Sequence, residues 1–248
     1  MALKAHHCIL LSGNEKRRIS KKTIQDKSEG KKMERVICLA IGYVFGLFQT
    51  AFIYGKMNHI DIREHGSGNA GTTNALRVLG KKAGLIVFLG DVFKCFFAVE
   101  LVRLLFKNRY PDILPLLSLY AAAGAILGHN FPFYLQFKGG KGIAATAGLI
   151  LAFHWPFLIV AIPVFCILFF TTHYVSVGSL AVYIGFITEL IVLGQKGYFG
   201  MSQPALLEMY AVGIFLMIMA FYRHKENIKR LFAGTERKTY LFKANKED

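Results

Sequence analysis

The stretch VICLAIGYVFGLFQTAFIY, residues 36–54, is an apolar run in which the most polar side chains are Gln49 and Thr50. A helix of about 20 mostly apolar residues crosses the hydrocarbon core of a bilayer, which is roughly 30 Å thick. The nineteen residues of this run are long enough to do so. The stretch therefore predicts a membrane-spanning helix.

The rest of the chain repeats this pattern between polar connections. Charged residues make up only 18% of the sequence, whereas soluble domains carry about 25%. Residues 143–193 are too long for one helix and are divided at residues 154–156 and by the polar run 171–179. Further helices are predicted over residues 83–101, 113–127, 143–153, 156–170, 179–194 and 205–222. The sequence thus predicts an all-α integral membrane protein with seven transmembrane helices.

The formal net charge of +15 is distributed unevenly between the connections. With a cytoplasmic C-terminus, residues 55–82, residues 128–142 and the segment after residue 222 place 15 Lys and Arg inside, against four outside. This asymmetry follows the positive-inside rule and predicts an N-terminus outside the cell. Basic charge beside a bilayer also attracts anionic lipids or substrates. Nucleic acid is not an expected partner, because no soluble domain remains to read it.

The two ends of the chain differ from the apolar middle. Residues 1–32 carry nine Lys and Arg against three acids and contain no apolar run typical of a secretory signal. We expect a disordered basic extension, upstream of the physiological start, because its charge would violate the positive-inside rule. Residues 33–240 are predicted to form the membrane domain, and residues 241–248 a polar C-terminal tail.

The first polar motif is HGSGNAGTTNALR, residues 65–77. Its glycines, hydroxyls and amides favour a turn with exposed backbone N–H groups next to a helix start, an arrangement that binds anions. Arg77 can add a bidentate contact to a phosphate. A flexible loop with an ordinary helix N-cap is the alternative interpretation.

The second motif combines GHNFP, residues 128–132, with FKGGKG, residues 137–142. A GGKG run leading into an apolar helix is typical of a phosphate cradle, because glycines permit close backbone approach and the helix N-terminus adds positive potential. It is not a Walker A loop, since the first glycine of that pattern is missing and Gly142 stands where the pattern needs Ser or Thr. A loop with topology-setting lysines is the alternative.

The third motif is RHKENIKRL, residues 223–231, followed by GTE, residues 234–236. If the last helix continues past Tyr222, the side chains at 223, 227 and 230 share one face. A basic stop signal that contacts anionic lipid is the alternative.

Asp91 and Lys94 are unusual because they lie inside a predicted span. Three residues apart on a helix, they can pair, and intramembrane ions usually face the bundle interior. A structural ion pair and a component of a site both remain open. His129 has no cluster of metal-ligating residues around it in the sequence, so no metal site is expected.

Together these motifs resemble the bacterial acyl-phosphate:glycerol-3-phosphate acyltransferases (PlsY). The family patterns SGNxGxTNxxR and RHxxNIxRLxxGxE are met by residues 67–77 and 223–236, and residues 128–144 between them resemble GHxFPxFxxFKGGKGxA, with Tyr134 in place of its second Phe. The resemblance covers residues 33 to about 240 and implies a seven-helix bundle in the bacterial plasma membrane with a cytoplasmic active site. One departure is GLFQ at residues 46–49, where the family usually has a Gly-Ser-Ile-Pro-like run.

The resemblance implies a reaction in phospholipid biosynthesis. A fatty acyl group passes from acyl phosphate to the 1-hydroxyl of sn-glycerol-3-phosphate, which gives lysophosphatidic acid and phosphate. Neither acyl-CoA nor acyl carrier protein serves as donor, and no cofactor is implied. Whether a soluble acyl-phosphate synthase docks on the protein is left open.

The resemblance also implies roles for individual residues. The residues expected to act in catalysis, by holding glycerol-3-phosphate and orienting its hydroxyl, are Ser67, Arg77, His224 and Asn227. The residues expected to bind substrate are Asn69, Thr73, Asn74, Lys138, Gly139, Gly140, Lys141 and Gly142, with the glycines of 139–142 around the acyl phosphate's phosphoryl group. Those expected to act structurally near the site are Glu236, Asp91 and Lys94.

Three alternatives remain open at this level. Because acyl phosphate has a good leaving group, positioning and charge screening can supply most of the acceleration, but Ser67 as a covalent nucleophile is a competing mechanism. A transporter or channel for organic anions would show polar breaks within spans and often an inverted repeat. An intramembrane serine protease would need its serine inside a span, facing a histidine.

Overall fold

The computed structural model describes residues 33–240, and within this range the regular structure is helical throughout. The expected disordered extension over residues 1–32 and the expected polar tail over residues 241–248 lie outside the described residues. The chain divides into a small unit that ends at Ile37 and a larger unit, Cys38–Asp248, which contains all three motifs.

Nine helices follow one another in the described range. They are α1 (residues 33–46), α2 (Thr50–Met57), α3 (Thr72–Phe106), α4 (Leu114–Asn130), α5 (Ile143–Phe153), α6 (Trp155–Thr172), α7 (Val175–Gln195), α8 (Gln203–Arg223) and α9 (Lys225–Phe232). Short 3-10 turns lie at Ile62–Glu64, Pro111–Ile113 and Phe133–Leu135.

Within residues 33–240, five stretches are long and apolar enough to cross a membrane. They are Met33–Met57, Pro111–Leu135, Trp155–Thr172, Val175–Gln195 and Gln203–Arg223. The other two predicted spans exist as helices but fall short for different reasons: α3 carries Asp91, Lys94 and Glu100 in its apolar part, and α5 is only 11 residues long. Length and composition alone therefore support five spans rather than seven.

The first predicted helix is not continuous, which differs from the expectation for residues 36–54. Helix α1 ends at residue 46 and α2 begins at Thr50. Gln49 bridges the break, since its Nε2 donates to the carbonyls of Gly46 (3.0 Å), Gly128 (3.1 Å) and His129 (3.2 Å). Carbonyls freed by a broken helix at membrane depth must find such partners, so the break is stabilised by contacts with α4.

Glycines bring α1 and α4 into backbone contact. A Cβ placed on Gly42 would lie 1.8 Å from the carbonyl oxygen of Ala121, and one on Gly124 would lie 2.0 Å from that of Leu39. Small residues at helix interfaces allow this approach where lipid offers no hydrophobic driving force. Helix α4 also packs against α3, α5 and α8, which makes it the centre of the bundle.

Helix α3 is interrupted at Gly80, whose φ of 85° and ψ of −177° are not helical. This left-handed φ costs a glycine little, because it has no Cβ. The first segment, residues 72–79, carries the end of the first motif, and the longer segment carries Asp91 and Lys94. The kink thus separates the part of α3 that adjoins the first motif from the part that carries the buried ion pair.

Candidate active site

A cavity of about 1150 Å³ brings the three motifs together. One part of its wall is basic and polar, and another is apolar. The apolar residues come from α3, α6 and α7 and include Leu85, Phe88, Phe165, Cys166, Phe169, Phe170 and Val175. A cavity with both kinds of wall suits a ligand that has a charged head and a hydrocarbon chain.

Most residues predicted for the site line this cavity. They are Ser67, Asn69, Thr73, Asn74, Arg77, Lys138, Gly139, Lys141, Gly142, His224, Asn227 and Glu236. Gly140 is buried behind the wall, where a Cβ would lie 2.1 Å from the imidazole Nε2 of His129. Asp91 and Lys94 lie deeper in the bundle, at 1% and 5% exposure.

Asn74 organises the loop of the first motif. Its Oδ1 accepts a hydrogen bond from the backbone N–H of Ser67 (2.8 Å), and its Nδ2 donates to the carbonyls of Ile62 and His65 (both 3.0 Å). Gly66 turns beside it with a φ of 58°, and a Cβ there would lie 2.4 Å from Asn74 Oδ1. The buried amide therefore holds the loop shape that presents Ser67 to the cavity.

The glycine loop of the second motif is bound from both sides. The N–H of Gly139 donates to the carbonyl of Asn130 (3.2 Å), and that of Gly140 donates to the carbonyl of His129 (3.1 Å). On the opposite side, the Arg223 guanidinium donates to the carbonyls of Gly139 (2.9 Å) and Gly140 (2.7 Å). Both peptide groups are therefore engaged within the protein, which holds the loop against the end of α4.

The backbone beyond these glycines is available to a ligand. Among the described residues, the N–H groups of Lys141 and Gly142 donate to no protein acceptor. Gly142 lies at the N-cap of α5 with a φ of 81°, and its carbonyl accepts the first helical hydrogen bond, from Thr146. The positive end of the α5 dipole therefore points toward the cavity, an orientation that favours anions.

The third motif does not form one continuous helix. Helix α8 ends at Arg223 and α9 begins at Lys225, with His224 between them. The His224 Nδ1–H donates to the carbonyl of Ala220 (2.8 Å). Burial and the nearby charge of Lys141 lower the pKa of His224 to about 4. The ring is therefore neutral at pH 7, and its Nε2 is a hydrogen-bond acceptor.

Lys141 begins a chain of polar contacts that reaches α7. Its Nζ donates to Oδ1 of Asn227. The Asn227 Nδ2 donates in turn to Glu236 Oε1 (2.6 Å), which also accepts from the hydroxyl of Ser176 (2.9 Å). The other carboxylate oxygen of Glu236 pairs with Arg230 (2.9 Å). This chain fixes the amide orientation of Asn227, with its oxygen toward the cation and its nitrogen toward the carboxylate.

Burial lowers the pKa of Lys141 to about 8. The positive charges of Arg230, Arg223 and Arg77 lower it further, and the negative charge of Glu236 opposes them. Near neutral pH the ammonium form predominates. A bound phosphate would stabilise that form by adding negative charge.

The expected Asp91–Lys94 pair is present and buried. Lys94 Nζ lies 2.7 Å from Asp91 Oδ1 and also contacts the Phe48 carbonyl and His129 Nδ1, both at 2.8 Å. An ammonium has three N–H donors and no acceptor, so all three are used and Nδ1 of His129 accepts. Because the His129 carbonyl binds the N–H of Gly140, the ion pair is connected to the glycine loop and to the break after α1.

The stabilising roles of Arg223 and Gln49 were not predicted from the sequence. Arg223 was noted only for its place on a helix face, although its position at the head of the third motif was a usable signal. Gln49 lies in the GLFQ segment that departs from the family pattern, and the sequence shows it only as a polar residue in an apolar run. The partners that give these residues their roles are distant in sequence: Gln49 and Gly128 are 79 positions apart, and Arg223 and Gly140 are 83 apart.

Comparison with known proteins identifies the family to which this architecture belongs. The family model described as glycerol-3-phosphate acyltransferase matches residues 36–234. The chain belongs to the glycerol-3-phosphate acyltransferase family. A glycerol-3-phosphate acyltransferase of Lactiplantibacillus plantarum is 41% identical over 207 residues, which cover 82% of this chain and 91% of that protein.

Solved structures agree with this family assignment. A crystal structure of PlsY, an integral membrane glycerol 3-phosphate acyltransferase in its glycerol 3-phosphate form, is 29% identical with a TM-score of 0.72, covering 84% of this chain and 99% of that one. The lysophosphatidic acid form is 27% identical with a TM-score of 0.68, covering 85% and 97%. The resemblance drawn from the three motifs is confirmed, and so is an all-helical integral membrane fold.

Proposed function

We propose that this acyltransferase moves a fatty acyl group from acyl phosphate to the 1-hydroxyl of sn-glycerol-3-phosphate, giving lysophosphatidic acid and phosphate for phospholipid synthesis. The observation that carries the proposal is that the two glycine-rich loops and an apolar wall meet in one cavity. The related PlsY structures in glycerol 3-phosphate and lysophosphatidic acid forms support the acceptor and the product.

The acyl phosphate is proposed to place its phosphoryl group at the start of α5. The N–H groups of Lys141 and Gly142 and the helix dipole supply the cradle, while Gly139 and Gly140 allow the loop to pack against His129. The acyl chain would follow the apolar wall formed by α3 and α6. Lys138, on the exposed edge of the loop, adds positive charge near the entrance.

Glycerol-3-phosphate is proposed to bind between the first and third motifs. Arg77 and Lys141 supply positive charge for its phosphate. Smaller polar groups along the same wall complete the contacts: Ser67, Asn69, Thr73 and Asn227. Two phosphate-bearing substrates explain why so many basic side chains surround one cavity.

Catalysis is proposed to rest on positioning. The neutral His224 accepts a hydrogen bond from the 1-hydroxyl through Nε2, which aims the oxygen at the acyl carbonyl carbon. A bond forms between the acyl carbonyl carbon and the hydroxyl oxygen, and the bond between that carbon and the phosphate oxygen breaks. The departing phosphate takes the hydroxyl proton. Holding two reactants in this geometry avoids the entropy of a bimolecular encounter, and the cradle stabilises the negative charge that develops on the leaving group.

The covalent alternative at Ser67 has less support. Ser67 is exposed, and its N–H is bound by Asn74. In residues 33–240 no histidine or carboxylate is hydrogen-bonded to its hydroxyl. A serine nucleophile needs an adjacent base, so the direct transfer is favoured.

The transport alternative is also less well supported. The break at residues 47–49 is the kind of interruption that a transporter would have. Its carbonyls, however, are bound by Gln49 and Lys94, and the three residues do not line the large cavity. The break therefore fits a packing role better than a transport site.

The membrane arrangement is proposed to be seven transmembrane helices in the bacterial plasma membrane, with the N-terminus outside and the C-terminus and cavity on the cytoplasmic side. This adds α3 and α5 to the five stretches that qualify by length and composition. The ion pair of α3 can lie at membrane depth because Lys94 neutralises the charge of Asp91 inside the bundle. The Lys and Arg distribution supports the orientation.

The identity of the acyl donor distinguishes this reaction from acyl transfer from other carriers. Purified protein in detergent is given labelled glycerol-3-phosphate with either palmitoyl phosphate or palmitoyl-CoA. We expect labelled lysophosphatidic acid from palmitoyl phosphate only. Arg77→Ala should lose most of this activity, whereas Lys107→Ala, an exposed lysine far along the chain from the motifs, should keep it. No product from palmitoyl phosphate, or equal product from the CoA ester, would contradict the proposal.

The pH dependence should report the charge of Lys141. With a pKa of about 8 in the free protein, Lys141 is charged below pH 8 and neutral above it. We expect kcat/KM for glycerol-3-phosphate to fall about tenfold per pH unit above the pKa, since this parameter follows the free enzyme. His224, with its pKa near 4, should add no limb between pH 5 and 9.

The control is Lys141→Arg, because a guanidinium keeps its charge to above about pH 12. The alkaline fall should be absent in this variant over the same range. Measurement of kcat/KM between pH 5 and 10 in both proteins tests this. An alkaline limb that persists unchanged in Lys141→Arg would assign it to another group.

A further inference from the structure

The segment after α9, residues 235–240, returns across the cavity as an extended C-terminal strap. It is tied to α9 by the N–H of Thr235, which donates to the Arg230 carbonyl (2.8 Å). At its far end, the N–H of Thr239 donates to the carbonyl of His173 (2.9 Å), and the Tyr240 ring lies 4.7 Å from the His173 ring. The strap thus spans from α9 to the connection between α6 and α7.

The strap supplies part of the cavity wall. Glu236, Arg237 and Thr239 all line the cavity. The family match ends at residue 234, and the third motif ends at Glu236. Arg237 and Thr239 are therefore contributions of this chain that the three motifs do not account for.

Thr239 contacts the arginine of the first motif. Arg77 Nη2 donates to Thr239 Oγ1 (2.7 Å) and to the carbonyl of Arg237 (3.2 Å). Thr239 is only 1% exposed, so its hydroxyl is shielded from water and its geometry is set by the protein. Because a guanidinium is planar, binding one terminal nitrogen at two points restricts the orientation of the whole group.

Arg237 presents a different feature. Its side chain is half-buried and lines the cavity. Among residues 33–240 no carboxylate forms an ion pair with it, in contrast to Arg230, which pairs with Glu236. A cation brought into an already basic cavity without an acidic partner is unfavourable unless an anion occupies the space.

We propose that the strap forms part of the glycerol-3-phosphate site, with Thr239 as a positioning residue for Arg77 and Arg237 as an additional contact for the substrate phosphate. This rests on the proposed function of the same cavity. The strap closes the side of the cavity next to the first motif and holds the Arg77 plane ready for the dianion. Substrate binding and docking of the strap are then coupled, and each stabilises the other.

The kinetic test of Thr239 compares Thr239→Val, which removes the hydroxyl at similar volume, with Thr239→Ser, which keeps it. A hydrogen bond to a charged group supports an expected rise of about tenfold in KM for glycerol-3-phosphate in Thr239→Val. The KM for acyl phosphate and the kcat should change much less, and Thr239→Ser should resemble the wild type. Equal KM values in Val and wild type, or an equal loss with both substrates, would overturn the positioning role.

Arg237 is tested against its neighbour. Arg237→Ala should raise KM for glycerol-3-phosphate by about tenfold, the scale of a charge-assisted contact. Lys238→Ala is the matched control, because Lys238 is exposed and does not line the cavity. Equal rises in KM for the two variants would mean that Arg237 acts only through its long-range charge, and would contradict a direct contact with the substrate phosphate.

A binding measurement separates this proposal from the proposed reaction. Trypsin cleavage after Lys238 is followed in the wild type and in Thr239→Val, with and without glycerol-3-phosphate. The substrate should slow cleavage several-fold in the wild type and less in Thr239→Val. A wild type that is protected but makes no lysophosphatidic acid would refute only the reaction. A wild-type protein that is active but is not protected from trypsin by glycerol-3-phosphate would refute the proposed role of the strap.

Discussion

Replacing Lys141 with alanine is expected to lower kcat/KM by about 10- to 10²-fold, because a charge-assisted contact to the substrate phosphate contributes about 1.5–3 kcal/mol. Lys141 is the side chain at which the glycine loop, the start of α5 and the third motif meet. Its ammonium faces the cavity and is held by Asn227. Steady-state rates with palmitoyl phosphate and glycerol-3-phosphate measure the loss.

Two comparisons make this result specific. Lys196→Ala removes an exposed lysine that does not line the cavity and should leave the rate unchanged. Lys141→Arg keeps the charge and should recover part of the activity below pH 8. Thermal unfolding in detergent should be similar for all three variants. A Lys141→Ala protein with near wild-type kcat/KM would remove this lysine from the mechanism.

Replacing Lys94 with methionine is expected to destabilise the fold by about 3–5 kcal/mol, because breaking a buried ion pair leaves the other charge uncompensated. Asp91 is 1% exposed and would lose the ammonium 2.7 Å away. The carbonyl of Phe48 and Nδ1 of His129 would lose their donor as well. Thermal unfolding in detergent measures the loss.

The double variant Lys94→Met with Asp91→Leu separates stability from function. Apolar replacement of a buried pair is often neutral or stabilising, so the double variant should regain much of the stability lost by Lys94→Met alone. Its kcat/KM should stay below that of the wild type, because the His129 ring that packs against Gly140 has lost the contact that orients it. A double variant no more stable than Lys94→Met would contradict the account of the pair.

Local patterns were sufficient to predict the helices and the motif loops. The apolar blocks at 143–153 and 205–222 correspond to α5 and α8. They could be predicted because the free energy of burial in an apolar medium depends on the summed hydropathy of the run of residues. The Asp91–Lys94 contact was also predictable, because residues three apart lie on one helix face.

Other features depended on distant partners. Nothing in residues 36–54 shows that the helix breaks after residue 46, because the break is stabilised by Gln49 reaching the end of α4 and by Lys94 reaching Phe48. The motif pattern likewise shows three glycines around a lysine, but not that the N–H groups of Gly139 and Gly140 are already bound within the protein. Seven spans stay a prediction of the apolar pattern, whereas five stretches qualify by length and composition.

The sequence by itself determined that this is a helical membrane protein with basic, glycine-rich loops, because hydropathy and local backbone freedom are properties of short segments. Only the tertiary structure decided which donors face the cavity and what orients them. Arg77 and Thr239 are 162 positions apart, and Lys141 and Asn227 are 86 apart. Hydrogen bonds at such separations depend on how whole helices pack, which no local pattern encodes.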